Sequence, residues 1–250
     1  MNPKAAVLLC ASNAELFIRE AIESILNQTY SDFEFIIVEN GSTDNTWDII
    51  KSYKDSRIKA FQVPLRQLAF SLNYGLIQTK AQYIVRMDAD DIAMPQRIAS
   101  QVAYLEANPD VAILGTAAEF FYSEKTLKIV NLPLTDRDIR RRLPFFFSIC
   151  HPSVTFRRLV IMEAGGYAGK YNEDFDLWLR LFRDKNIKFA NLSEPLLRYR
   201  IHPGQIKSTR ISYAATVGIL LREAVYLRSL RFLFAAVFTC LKSVRAYKNQ

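Results

Sequence analysis

Three carboxylates, Asp88, Asp90 and Asp91, fall within four positions of the stretch RMDADDIAMP, directly after the apolar run Tyr83-Ile84-Val85. Two carboxylates one residue apart on a turn can share a divalent cation. Oxygen-only ligands suit Mg²⁺ or Mn²⁺, ions that also bridge to phosphates. The competing use is a helix N-cap for a helix beginning near Pro95, for which one Asp would serve. Residues 39–44, ENGSTD, follow another apolar run and offer acceptors that can read a base or a ribose, with Asp44 equally suited to cap a helix. Glu173-Asp174 opens an amphipathic segment. Acids there are favoured by the helix dipole, or can act as a general base. His202 is one of two histidines, the other being His151. A lone histidine is either a hydrogen-bonded structural group or a ligand.

These groups need a scaffold. Short continuous apolar runs at 5–11, 33–38, 57–63, 82–87 and 111–115 read as strands. Helical spacing fills 14–28, with Asn13 as expected N-cap, then 44–53, 65–79 and a segment from Pro95 to about Glu106. Such alternation predicts an α/β fold with a mostly parallel sheet flanked by helices, and ligands gather at the carboxyl ends of such strands. Asp88–Asp91 and Glu39–Asp44 lie at two of those ends. Beyond residue 128 the pattern loosens. Residues 129–138 read as a turn-rich linker, 158–163 as a helix ending at Gly165-Gly166, and 173–184 as a helix. No GxGxxG follows the first strand, and neither GxxxxGK[ST] nor GxSxG occurs, which removes the dinucleotide, P-loop and nucleophile-elbow readings.

The chain has 250 residues, half hydrophobic and 23% charged, enough for one large core or one domain with an appendage. Cys10, Cys150 and Cys240 are scattered. That excludes a disulfide framework and a cysteine zinc site, and predicts buried thiols in a reducing compartment. The net charge of +8 is uneven. From residue 200 onward there are nine Lys/Arg and one acid, leaving 24 of each sign before it. The chain divides into a neutral body, 1–205, and a basic amphipathic helical tail, 206–250. Neither a signal peptide nor a membrane span is expected. Residues 232–241 are uncharged and flanked by Arg228, Arg231, Lys242 and Arg245. That pattern suits an interfacial helix on an anionic membrane, or a helix packed on the body or a second subunit. A neutral body argues against nucleic acid.

Together and in this order, the features resemble inverting nucleotide-sugar glycosyltransferases of family 2, with the GT-A fold. The likeness spans residues 4–203 and rests on VLLCASN (7–13), ESILNQTY (23–30), FIIVENGST (35–43), NYGL (73–76), RMDADDIAMPQR (86–97), GGY (165–167), EDFDLWLRL (173–181) and YRIH (199–202). It implies a DXD motif at Asp88-Ala89-Asp90, with Asp90 on Mn²⁺ or Mg²⁺ and Asp88 on the ribose or a metal-bound water. It implies that His202 completes the metal and diphosphate site and that Asp174, paired with Glu173, is the catalytic base. Gly165 and Gly166 would form the acceptor loop, and Ser12, Glu39 and Asn40 the nucleotide pocket. The chain departs from the pattern at Asn40, where many relatives carry an acid, and at Cys10-Ala11-Ser12-Asn13. It lacks the QxxRW of processive synthases. The resemblance therefore implies transfer of a single sugar, from a UDP-linked donor, to a hydroxyl of a glycan or lipid-linked acceptor in cell-surface polysaccharide biosynthesis. The place of action would be the cytoplasm, at the inner face of the membrane. The alternative is an inactive GT-A module that binds a nucleotide sugar or a protein partner.

Overall fold

A computed structural model of the chain describes residues 3–205 and 209–248. The first half alternates as the apolar runs predict: β1 (Ala5–Ala11), α1 (Ile18–Leu26), β2 (Phe33–Asn40), α2 (Thr46–Ser52), β3 (Ile58–Val63), α3 (Leu68–Ile77) and β4 (Tyr83–Asp88). β1 and β2 are buried at every position because helices cover both faces. Alternate residues serve different cores: Ala5, Val7 and Leu9 pack with α1, while Ala6 and Leu8 pack with α3. A Cβ on Gly75 would sit 2.2 Å from Leu8 Cδ1, so the glycine is what lets α3 lie against β1.

The second half adds β5 (Ile92–Ala93), α4 (Arg97–Ala107), β6 (Val111–Tyr122), β7 (Lys125–Val130), α5 (Asp136–Arg142), a 3-10 turn (His151–Ser153), β8 (Thr155–Arg157), α6 (Arg158–Glu163), α7 (Glu173–Phe182) and β9 (Lys188–Arg200). Among the described residues one sheet runs β3-β2-β1-β4-β8-β6-β9-β5, with β7 on β6. Its first four strands are parallel; β8 joins β4 antiparallel and turns the sheet into a mixed one. Parallel register sets Cys10 opposite Asp88 and Ala11 opposite Glu39. The carboxyl ends of β1, β2 and β4 therefore form a single edge.

Several local expectations are corrected. Asn13 is not an N-cap: it adopts φ +50° and its Oδ1 accepts from the Thr43 N–H at 2.9 Å, tying the β1 loop to the β2 loop. Helix α1 begins later, after Phe17. Neither Asp90 nor Asp91 caps α4, whose N-cap is Gln96, because β5 intervenes. Residues 129–138 are not merely a linker, since they hold the end of β7 and the start of α5. Cys240 is exposed, while Cys10 and Cys150 are buried, and all three are free thiols.

The C-terminal segment forms α8 (Arg210–Tyr226) and α9 (Leu230–Lys248); residues 206–208, where the expected division falls, lie outside the described residues. Leu220, Phe232, Ala235 and Ala236 are buried in the same cluster as Ile139, Leu177 and Leu181. Glu223 of α8 is fully buried and accepts from Arg183 at 2.7 and 2.9 Å, and from Arg222. Removing one partner of a buried ion pair strands the others, although both arginines keep some solvent. Glu223→Ala should therefore lower stability by about 2 kcal/mol or more in urea unfolding. A change below about 0.5 kcal/mol, the level of ordinary surface substitutions, would mean that this pair does not bind α8 to the body.

Candidate active site

Strand β4 delivers Asp88 to the sheet edge, and the turn that follows places Asp90 and Asp91 beside it. Carboxylate oxygens of all three lie within 4.8 Å of one another. Each is compensated differently. Asp88 pairs with Arg86 at 2.5 Å; Arg86 is only 2% exposed, and its Nε and Nη1 have no partner. Asp90 Oδ2 meets His202 Nε2 at 3.0 Å. Asp91 accepts the backbone N–H of Arg200 at 2.9 Å through Oδ1, while its buried Oδ2 has no partner. Burial, together with the Asp88 charge, raises Asp90 above the usual carboxylate range and Asp91 well above it. A cluster of oxygens plus one imidazole, short of positive charge and holding an orphaned carboxylate oxygen, is a donor set that fits a hard divalent cation.

The chain leaving β9 makes the histidine contact. β9 pairs with β6 on one side and β5 on the other, Ile92 opposite Arg198, which brings Arg200 and His202 over the Asp turn. Arg200 donates through Nε to the Asp90 carbonyl at 2.7 Å and through Nη2 to Glu20 at 2.6 Å. The His202 ring lies 4.6 Å from that of Phe17. Below the site, buried Arg97 donates to the Arg86 carbonyl at 2.6 Å.

Glu39 and Asn40, at the end of β2, are buried. Glu39 Oε1 accepts from the Ser42 N–H at 2.5 Å, whereas Glu39 Oε2 and Asn40 Oδ1 lack partners. Ser12 is exposed on the neighbouring loop. Asp44 is a structural lock: it accepts from Thr46 and from the Glu15 N–H.

Gly165 and Gly166 adopt φ +84° and +68°. Asn73 clamps the loop, accepting from Tyr167 N–H at 2.9 Å and donating to Tyr167 O at 2.8 Å. A Cβ on Gly166 would fall 2.4 Å from Asn73 Oδ1. Beyond the loop, Asn172 takes φ +56° and donates to Ser212 O at 2.7 Å and Thr216 Oγ1 at 3.0 Å. Helix α8 thus holds the residue just before Glu173-Asp174. It also sends Arg222 to Asp176 at 2.5 Å; Asp176 binds Arg180, and Arg180 donates to the carbonyls of Ala164 and Gly166. Burial raises both acids of the pair: Glu173, also facing the charge of Asp174, is pushed up to about 7. The charges of Arg86 and Asp88 act on both, so the pair lies within electrostatic reach of the Asp cluster.

Of the residues singled out by sequence, Asp88, Asp90 and His202 come together directly, and Glu39 and Asn40 share their sheet edge. Gly165 and Gly166 lead to Glu173 and Asp174 on the other side. Arg86, Asn73, Tyr167 and Arg200 were not singled out individually. Arg86 did carry a signal, as a charge inside a strand otherwise buried on both faces.

A mixed α/β sheet with acids at the carboxyl ends of its parallel strands, capped by a histidine, defines a GT-A glycosyltransferase. The family model for glycosyl transferase family 2 matches residues 6–164, and the chain belongs to that family. It is 34% identical over 247 residues to the O-antigen biosynthesis glycosyltransferase WbnJ of Escherichia coli, covering 96% of each chain. It is 32% identical to the putative glycosyltransferase EpsE of Bacillus subtilis, covering 89% of this chain and 82% of that one. Among solved structures it superposes on residues 1–349 of S. aureus TarS in complex with UDP-GlcNAc with TM-score 0.73 at 17% identity, over 89% of this chain and 66% of that one. It also superposes on the mannosyltransferase PcManGT of Pyrobaculum calidifontis, in complex with GDP-Man and Mn²⁺, with TM-score 0.61 at 17% identity, over 100% and 76%.

The raised Glu173 carboxyl has a stability consequence. An acid whose folded value lies above its unfolded value stabilises the fold below the unfolded value, and that contribution is lost as pH rises through the folded value. The window here runs from 4.5 to about 7. Glu173→Gln should therefore gain thermal stability relative to the parent as pH rises across that window, measured without added divalent ions. A constant difference would mean that Glu173 is not buried as described.

Proposed function

We propose that the chain transfers a single sugar, with inversion, from a UDP-linked donor to a hydroxyl of a glycan or lipid-linked acceptor, in a metal-dependent reaction. The observation that carries this is the contact of His202 with Asp90 beside Asp88, with the Glu173-Asp174 pair within electrostatic reach of them. Residues 1–205 are the transferase unit and 206–250 an accessory one. The names of WbnJ and the structures of TarS with UDP and UDP-GlcNAc support a role in surface-polysaccharide assembly and a uridine donor. The inner face of the cell membrane is the corresponding place of action.

Asp90 and His202 would hold Mn²⁺ or Mg²⁺, with Asp88 on the ribose or a metal-bound water. When bound, the ion supplies Lewis-acid stabilisation of the charge that builds on the departing diphosphate. Glu39, Asn40 and Ser12 bind the base and ribose; the unpartnered Glu39 Oε2 and Asn40 Oδ1 are acceptors available for that purpose. Arg86 offsets the charge of Asp88 and so limits repulsion between that carboxylate and the donor. At the opposite side Asp174 is the base. Its Oδ1 accepts the Phe175 N–H at 2.7 Å, which fixes the carboxylate and leaves Oδ2 to take the acceptor's proton. Gly165 and Gly166 position the acceptor, with Glu173 beside them. In-line attack from that side inverts the anomeric carbon.

Asp90→Asn should weaken Mn²⁺-dependent UDP-sugar binding on the order of tenfold or more, because a neutral amide is a poor ligand for a hard ion. Isothermal calorimetry reads this directly, and an unchanged affinity would remove Asp90 from the metal site. Asp174→Asn should retain donor affinity and lose about 100-fold or more in turnover. Normal turnover in Asp174→Asn together with a dead Glu173→Gln would exchange the two acids. A product of retained anomeric configuration would rule out the in-line mechanism.

A further inference from the structure

Helix α9 has two apolar faces. Phe232, Ala235, Ala236 and Thr239 are buried against the body. A second stripe, Leu230, Phe234, Val237 and Leu241, follows helical spacing and points outward, with Phe234 67%, Val237 51% and Leu241 61% exposed. Isolated exposed apolar residues are ordinary, but a continuous stripe is not. The stripe is extended by the turn after α5: Phe146 is 53% exposed, as is Phe147 in similar degree, and Phe146 lies 5.9 Å from Phe238 while Phe145 lies 6.3 Å from Phe234.

Cations rim this patch. Arg142 sits over the Phe146 ring and Arg231 over the Phe145 ring. Arg231 also donates to the Arg140 and Arg141 carbonyls, and burial together with Arg141 lowers its guanidinium. Arg141 and Arg142 make no ion pair among the described residues. Behind Arg141 and Arg231 an open cleft of about 470 Å³ also exposes Arg137, Lys185 and Lys188. Asp136, held by Arg140, and Asp138 are the acids lining this region, and the excess of cations over them favours an anionic partner.

We propose that α9 and the Phe145–Phe147 turn form a surface that docks on an anionic phospholipid bilayer. Phe146, Phe147, Phe234, Val237 and Leu241 enter the headgroup boundary, while Arg141, Arg142 and Arg231 meet lipid phosphates. A second copy of the chain fits less well. Residues 224–250 contain four Lys/Arg besides Arg228 and no acid, so pairing two such helices would set like charges side by side. No helix among the described residues is long and apolar enough to cross a membrane, which restricts the contact to the surface. The inference rests on the lipid-linked acceptor only for its purpose. Docking itself needs no sugar chemistry.

The test uses the full chain, since α8 and α9 share the body's core and truncation would confound it. Co-sedimentation with phosphatidylcholine vesicles, with and without phosphatidylglycerol, should show about tenfold or more stronger binding to the anionic vesicles, weakening with salt. Phe146→Ser with Phe234→Ser should lose about tenfold or more on anionic vesicles at any salt concentration. Arg141→Gln with Arg142→Gln should lose about tenfold at low salt only. Melting temperature and UDP-sugar affinity, unchanged in both variants, establish that the fold is intact. Failure of the parent to sediment with either vesicle, or variants that sediment like the parent, would overturn the proposal. So would a concentration-dependent dimer that the Phe variant abolishes without vesicle binding. Vesicle binding without donor binding would instead count only against the transfer reading.

Discussion

The site is organised around an electrostatic constraint: three carboxylates held within 4.8 Å of one another at the end of a buried strand. Each like-charge contact at that range costs about 3 kcal/mol at an effective dielectric near 20. The surrounding structure supplies the compensation piece by piece. Arg86 lies buried one turn of pleat behind Asp88, the Arg200 N–H points at Asp91, and His202 sits on Asp90. None of these groups can arrive without its own support. Arg97 holds the Arg86 carbonyl, and β9 reaches the turn only because it is paired on both sides. The compensation is incomplete, as the unpartnered Asp91 oxygen and the raised carboxyls attest. That residual demand for positive charge is what suits the edge to the cation proposed for it.

A second constraint links the glycine-loop side of the site to the C-terminal helices. The glycine loop and the Glu173-Asp174 pair are held from behind by a chain of charged hydrogen bonds that starts on α8: Arg222 to Asp176, Asp176 to Arg180, and Arg180 to the Ala164 and Gly166 carbonyls. Asn172, in a left-handed conformation that costs a non-glycine residue about 1 kcal/mol or more, is anchored by the same helix. The C-terminal helices therefore take part in positioning α7, which carries the proposed base, and the outer stripe of α9 does not take part in that packing. A membrane contact there would lie on a helix packed in the same core cluster as Tyr167 and Leu177.

The two acid groups illustrate how one fold sets different chemistry for the same side chain. Asp88 and Asp90 sit among a guanidinium and an imidazole, which hold charge beside them. Glu173 and Asp174 are half-buried at a helix start, where backbone N–H groups, Phe175 among them, only partly offset the upward displacement by desolvation. The first environment suits binding a cation and the second suits taking a proton.

The sequence by itself determined the alternating strands and helices of the first half, because a strand buried on both faces must be a continuous apolar run and a helix on a sheet must repeat every 3.6 residues. It also marked the acids at 88–91, 39 and 173–174 and the histidine at 202 by type and order. Tertiary structure decided the rest. β5 and β8 are two and three residues long and exist only through the strands they pair with. β9 contains Asn191, Glu194 and Pro195, and it remains a strand because β6 runs alongside it with shifts in register. The tail reads in sequence as a single amphipathic helix; only packing showed that α9 spends one apolar face on the body and leaves the other outside. Periodicity reports which residues avoid water, but not which neighbour removes them from it, and the partners of His202, Arg86 and α9 are separated in sequence from the groups they meet.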